Sequence, residues 1–158
     1  MNPKPITNFA FQFGIQIALN LDLIVEKNGR YYLVNPVLKL LVRPDFFYVG
    51  VYLGKAKEGK FFPSFNLLVI LAKMGANRVV VDRKAAWLFI CGRDILGKSI
   101  MRVQGASKKN TNALVLNEFG ECLGFGRIVE NLNDDEGNNK IAVRNVSDVG
   151  DFLRRERY

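Results

Sequence analysis

The chain has no histidine, and only two of its 158 residues are cysteines, Cys91 and Cys122. Without imidazole the usual general base is missing, and so is nucleophile activation of the Ser/His/Asp kind. Carboxylate or lysine chemistry stays open, so the absence weighs against an enzyme without excluding one. Two isolated thiols cannot complete a zinc site without ligands that this composition barely supplies, and they read as reduced core residues. No cofactor and no metal is called for. Long apolar runs are also missing: Leu67–Ala72 and Ala85–Cys91 fall far short of the roughly 20 residues of a spanning helix. The N-terminus, MNPKPITNF, lacks the charged and then apolar stretch of a secretory signal. A soluble cytoplasmic protein is the plain expectation (nucleolar if the source is eukaryotic). There is no repeat and no low-complexity tract.

What is present is apolar bulk and positive charge. About half the residues, 49%, are hydrophobic and 24% are charged, so the chain is expected to fold. The net charge is +8, which points to a polyanionic partner, since a basic surface gains by releasing the counterions of nucleic acid. Residues 1–77 carry nine basic and four acidic side chains, and the remainder fourteen and eleven. Three of the later acids stand together at Asp134, Asp135 and Glu136, and without them the second half is as basic as the first.

Local signals divide the chain in two. Thr7 is placed to cap a helix running to Leu23, with Phe9, Phe13, Ile17 and Leu21 on one face. Asn28-Gly29 predicts a hairpin joining Leu23–Glu26 to Tyr31–Val34. Pro36 opens a short helix that Pro44 ends. Phe47–Gly54 reads as a strand, Lys57–Lys60 as a turn, and Ser64 as the start of a helix closed by Gly75. Asn77–Asp82 is a strand. Beyond it, Trp87–Cys91 is a short apolar run, and Asp94–Val103 reads as helix. Gly105–Asn112 is a polar loop. Three strands follow, ALVLN, CLGFGRIV and KIAVRNV, with a turn at Phe119-Gly120, and then a short helix capped by Asp148. The expected fold class is α+β: an N-terminal domain with an antiparallel sheet over residues 1–82, and a small β pseudo-barrel over residues 83–158.

Two glycine-rich stretches invite a nucleotide reading. Gly124 and Gly126 lack the third glycine of a dinucleotide fingerprint, and an apolar β-type run follows them. Spaced two apart on a strand, they strip one face of side chains, so another backbone can approach and the strand can bend. Gly92–Ser99 (GRDILGKS) matches the phosphate-loop spacing letter for letter. Trp87–Cys91 could be its preceding strand, but the large parallel domain that such a loop needs does not follow. This remains the lesser alternative.

FICGRDILGKSIMRV, ALVLNEFGECLGFGRIV and IAVRNVSDVGDFLRRE together resemble a PUA domain, the small RNA-binding pseudo-barrel of many RNA-modification and ribosome-assembly proteins. Upstream, VGVYLGKAKEGKFFPSFNLLVILA resembles the first domain of the Nip-seven family, archaeal type. These are PUA-containing factors of large-ribosomal-subunit assembly. The likeness runs from Tyr48 to Glu156 in the same domain order. It departs from many PUA domains at Asn110-Thr-Asn112, where they carry Gly-Asp. The resemblance implies a non-enzymatic protein that binds ribosomal RNA through the second domain and meets other assembly proteins through the first.

The last strand supports this independently. Simple alternation puts Lys140 and Arg144 on one outer face, about 13 Å apart, with Ile141 and Val143 turned inward. Lys98 and Arg102 share a face of the expected helix, and Lys108 and Lys109 lie in the loop after it. The candidate RNA groove is therefore Lys98, Arg102, Lys108, Lys109, Lys140 and Arg144, with Arg154 and Arg155 next. Trp87 and the phenylalanines read as core, and Phe125 is a stacking surface only if exposed. Two other functions stay in view. A protein adaptor would use the aromatic clusters Phe46–Tyr48 and Phe61-Phe62. An RNA-modification enzyme, or an accessory subunit of one, is the other; against an enzyme, the first domain shows no carboxylate constellation, methyl-donor glycine loop or metal cluster, and Asp94 is an isolated acid.

Overall fold

A computed structural model describes residues 4–17, 19–105, 108–132 and 139–155, excepting the side chains of Phe152 and Arg155. The first helix, α1 (Lys4–Phe11), starts earlier and ends far sooner than its apolar spacing predicts. The Thr7 hydroxyl donates back to the Lys4 carbonyl at 3.1 Å, a bond made inside a helix and not at its cap. Gly14 then turns left-handed at φ +74°, and the Phe13 carbonyl accepts the Asn77 N–H at 2.9 Å. A tertiary bond thus captures the chain where periodicity alone would continue the helix. Phe9 and Phe13 are buried all the same.

The hairpin of β1 (Ile24–Lys27) and β2 (Arg30–Leu33) turns on Asn28-Gly29, both with positive φ, as its dipeptide predicts. Asn35 caps α2 (Pro36–Leu41), its side chain accepting the Leu38 N–H at 2.7 Å. A second hairpin joins β3 (Val51–Lys57) to β4 (Lys60–Pro63). These strands form an antiparallel sheet in the order β1-β2-β3-β4. Ser64 caps α3 (Phe65–Lys73), and Gly75, at φ +84°, closes it as expected.

The second sheet begins with β5 (Arg78–Val81). The expected division at residue 83 leaves this strand with the first unit, yet it pairs antiparallel with β7 (Ile100–Gln104) and parallel with β8 (Asn112–Leu116). The short apolar run that a phosphate loop would need as its preceding strand is instead part of helix α4 (Arg83–Ile90), its first turn held by the Asp82 carboxylate accepting the Ala85 N–H at 2.8 Å. Only Ala85 and Phe89, four apart, are buried on α4, and Trp87, expected in the core, is 65% exposed. The predicted helix over 94–103 is not formed. In its place stand β6 (Ile95–Leu96), a 3₁₀ turn (Gly97–Ser99) and β7.

Two long strands, β9 (Cys122–Ile128) and β10 (Ile141–Asp148), complete a sheet in the order β6-β10-β9-β8-β5-β7. β6 and β7 are joined by one turn but lie at opposite ends of that order, so the sheet curls into a half-barrel. Helix α5 (Val149–Arg155) follows, and the Asp148 carboxylate accepts the Asp151 N–H at 2.8 Å, the cap that the sequence predicts.

One face of the half-barrel packs Val79, Val81, Val115, Ile128 and Val143 around Phe89. The other face carries Leu114, Leu116 and Phe125 against Phe9, Phe13, Leu67 and Leu71. Phe125 meets Phe9 edge-on at 5.6 Å and Phe13 at 5.5 Å, so the two sheets share one aromatic core. At 6% exposure Phe125 offers no base-stacking surface.

The glycine strip works as bare backbone. A Cβ on Gly124 would stand 2.1 Å from the Ser147 carbonyl oxygen, and one on Gly126 would stand 2.5 Å from that of Arg144. Gly124 also needs φ +146°, and the pairing of β9 with β10 shifts register nearby, between Asn145 and Ser147. The close backbone comes from the neighbouring strand of the same sheet, which bends there.

Candidate nucleic-acid interface

The four candidate lysines gather at one end of the half-barrel through backbone pairing. β6 lies antiparallel to β10, with Leu96 opposite Ile141. Just beyond that pair the Gly97 N–H donates to the Lys140 carbonyl at 3.0 Å, which brings Lys98 beside Lys140. On the other side, the Val129 N–H donates to the Ala142 carbonyl, and the Asn131 side chain accepts the Lys109 N–H at 2.9 Å. The Asn110 N–H bonds the Ile128 carbonyl and the Ile128 N–H bonds that of Thr111, so the loop holding Lys108 and Lys109 is stitched to the end of β9. Lys98, Lys108, Lys109 and Lys140 are all exposed. None is in an ion pair among the described residues, where the pairs are Lys57–Glu58 and Arg154–Asp148.

The remaining candidates lie elsewhere. The simple alternation expected for β10 fails at a bulge between Ile141 and Val143: Ile141, expected inside, is 39% exposed, and Ala142 and Val143 are both buried. Arg144 lies beyond that bulge, directly opposite Arg127 of β9. Arg102 sits in β7 at the far edge of the sheet, opposite Val80, and shares no helical face with Lys98. Arg154 approaches Asp148 at 3.5 Å. The side chain of Arg155 and the acidic run Asp134–Glu136 lie outside the described residues.

The rival chemistries find little support. Gly92–Ser99 is preceded by a helix and runs into β6, so the strand–loop–helix of a phosphate loop is absent there. Asp94 is occupied structurally, its carboxylate accepting the Asn145 N–H at 2.8 Å. Burial pushes the Cys122 thiol up to about 11, far from a reactive thiolate. No group of three or more metal-ligating side chains occurs among the described residues. No helix there is long and apolar enough to cross a membrane.

A family model described as the UPF0113 PUA domain matches residues 77–157. The chain belongs to that family. The match begins at Asn77, so it takes in β5, the strand that the half-barrel needs between β8 and β7. A UPF0113 protein of Archaeoglobus fulgidus is 32% identical over 116 residues, 70% of this chain and 63% of that relative, so this chain spans under two thirds of its length. A conserved PUA domain protein from Thermoplasma acidophilum superposes with a TM-score of 0.63 at 19% identity, over 97% of this chain and 92% of that one. A hypothetical protein from Pyrococcus horikoshii gives 0.57 at 14% identity, over 100% and 98%. These likenesses show the fold: an N-terminal antiparallel sheet followed by a PUA domain, a fold that typically binds RNA.

Within the PUA domain, sequence reasoning missed Arg127 as a surface cation. Arg127 lies two residues beyond Phe125, on the same face of β9. There it is exposed, where Phe125 is buried. Arginine on a strand between apolar residues was the available signal.

Proposed function

We propose that this protein is a non-catalytic RNA-binding factor of the Nip-seven type, acting in assembly of the large ribosomal subunit. The lysine-rich end of its PUA domain holds ribosomal RNA. The observation that carries this reading is the convergence of Lys98, Lys140, Lys108 and Lys109 from three separate chain segments, without an acidic partner among the described residues. Lysine ammonium groups act as point charges on phosphate, so recognition follows the backbone with little base selectivity.

The test is fluorescence anisotropy with a single-stranded ribosomal RNA fragment. Lys98→Ala with Lys140→Ala, and separately Lys108→Ala with Lys109→Ala, should each weaken binding and flatten its salt dependence. Unchanged affinity in both would reject the surface. The assembly role predicts co-sedimentation with precursors of the large subunit in cell extracts, and sedimentation with neither subunit nor precursor would reject it.

A second reading, a protein adaptor, draws on a different place. Val37, Leu40 and Leu41 of α2 are exposed, and nearby Phe47 is 91% exposed. Such a surface suits an assembly protein that docks on the N-terminal sheet while the PUA domain holds RNA. Leu40→Asp with Phe47→Asp would abolish co-purification of assembly proteins and spare RNA affinity.

A further inference from the structure

A groove of about 890 Å³ lies between the two sheets. Its walls are α1, the free edge of β4, and β9 and β10 at Phe125, Arg127, Val146 and Ser147. Among the described residues three cations line it, Lys4, Lys60 and Arg127, and no carboxylate does. Of the acids beside lining residues, Glu58 is turned to Lys57 at 3.7 Å, Asp148 approaches Arg154 at 3.5 Å, and Asp151 accepts the Ser147 hydroxyl at 3.4 Å.

The groove also holds the two other groups that a nucleotide needs. Phe62, on the edge strand, lines it and is 44% exposed, which leaves an aromatic face for a base. At its floor the Asn112 amide donates to Gln12 Oε1 at 2.9 Å, with Asn8 in the same lining. These neutral amides offer donors and acceptors to base edges. Arg144 is the register partner of Arg127, and β10, past its bulge at Ile141–Val143, connects Lys140 to that pair at the groove.

We infer that this groove between the N-terminal sheet and the PUA domain is a second RNA subsite. It takes an unpaired nucleotide whose base stacks on Phe62 and whose phosphates meet Arg127 and Lys60. The inference rests on the RNA-binding reading of the PUA domain and extends it: the N-terminal sheet becomes part of the RNA surface.

The experiment uses fluorescein-labelled oligouridylates from about 4 to about 16 nucleotides, bound to the full chain and followed by anisotropy. For the unaltered protein, affinity rises with length as the strand reaches from the lysine-rich end into the groove. Phe62→Leu keeps apolar cover on β4 and removes the ring, and Lys60→Ala changes an exposed side chain. Phe62→Leu should lower affinity for the longest oligomers by at least about fivefold, and Lys60→Ala should reduce their salt slope by about 0.7. Both should leave the shortest oligomers unaffected, whereas Lys98→Ala with Lys140→Ala weakens every length. If both groove variants keep the full gain with length, the subsite is wrong and the RNA reading stands. If the unaltered protein binds none of the oligomers, the RNA reading fails and the subsite with it.

Discussion

Arg127 and Arg144 stand directly opposite one another on adjacent antiparallel strands, both exposed, and neither is in an ion pair among the described residues. Cross-strand partners share a face, with Cβ atoms about 5 Å apart, and like charges placed so are destabilising. A free protein therefore carries local repulsion that a bound polyanion relieves.

This pairing predicts effects of opposite sign. Arg127→Ala should stabilise the free protein by up to about 1 kcal/mol at low salt and lower its RNA affinity. Urea denaturation at low and at high salt, beside anisotropy on the same samples, reads both. Destabilisation at low salt would mean that the guanidinium supports the fold instead.

The division of the cations predicts a graded salt response. Each lysine removed at the half-barrel end should reduce the slope of log affinity against log salt by about 0.7, the value for a single-strand phosphate contact. Arg102→Ala, on the far edge strand, should leave the slope as it was. A loss at Arg102 equal to that at Lys98 would redraw the surface around β7.

Two glycines in neighbouring elements should respond differently to alanine. Gly124→Ala forces a Cβ to 2.1 Å from the Ser147 carbonyl oxygen at φ +146° and should cost about 3 kcal/mol or more, or prevent folding. Gly120 has φ +80° but nothing within 4 Å of such a Cβ, so Gly120→Ala should cost only about 1–2 kcal/mol. Equal losses in urea melts would remove the close-approach explanation for Gly124.

The cysteines should separate by reactivity and by pH. Cys91 is exposed and should label with iodoacetamide in the native protein at mildly alkaline pH, while Cys122 should resist until denaturant is added. Burial raises the folded Cys122 thiol from 9.0 to about 11, so the unfolded chain loses this proton first. That contribution to stability is whole below pH 9.0 and declines from there through about pH 11. Cys122→Ala should flatten this part of the alkaline stability curve, and an unchanged curve would place its cause elsewhere.

Much of the local structure was legible in the chain, because turns and caps depend on a few adjacent groups. Asn28-Gly29 turns its hairpin, Ser64 and Gly75 bound α3, and Asp148 caps α5, each through backbone geometry that neighbouring residues dictate. The short apolar run Ala85–Cys91 was not legible in the same way. Periodicity cannot separate a five- to seven-residue strand from a helix, and the deciding signal was the Asp82 cap upstream. The spacing of Lys98 and Arg102 misled for a related reason. Ile95, Ile100 and Val103 pack against the half-barrel core, and pairing with β5 and β10 outweighs helix propensity there.

By itself, the amino-acid order determined the class of fold, the strand-rich second half, the bare glycine strip and an excess of positive charge that calls for a polyanion. Only the tertiary structure decided which cations share a surface. The bulge at Ile141–Val143 broke the alternation that would have placed Lys140 and Arg144 on one continuous face. Strand β7, and not a helix, holds Arg102 opposite Val80, and the register of β9 on β10 sets Arg127 beside Arg144. Those placements come from hydrogen bonds between residues tens of positions apart, and a register shift of one residue, which local composition does not encode, moves every following side chain to the other face.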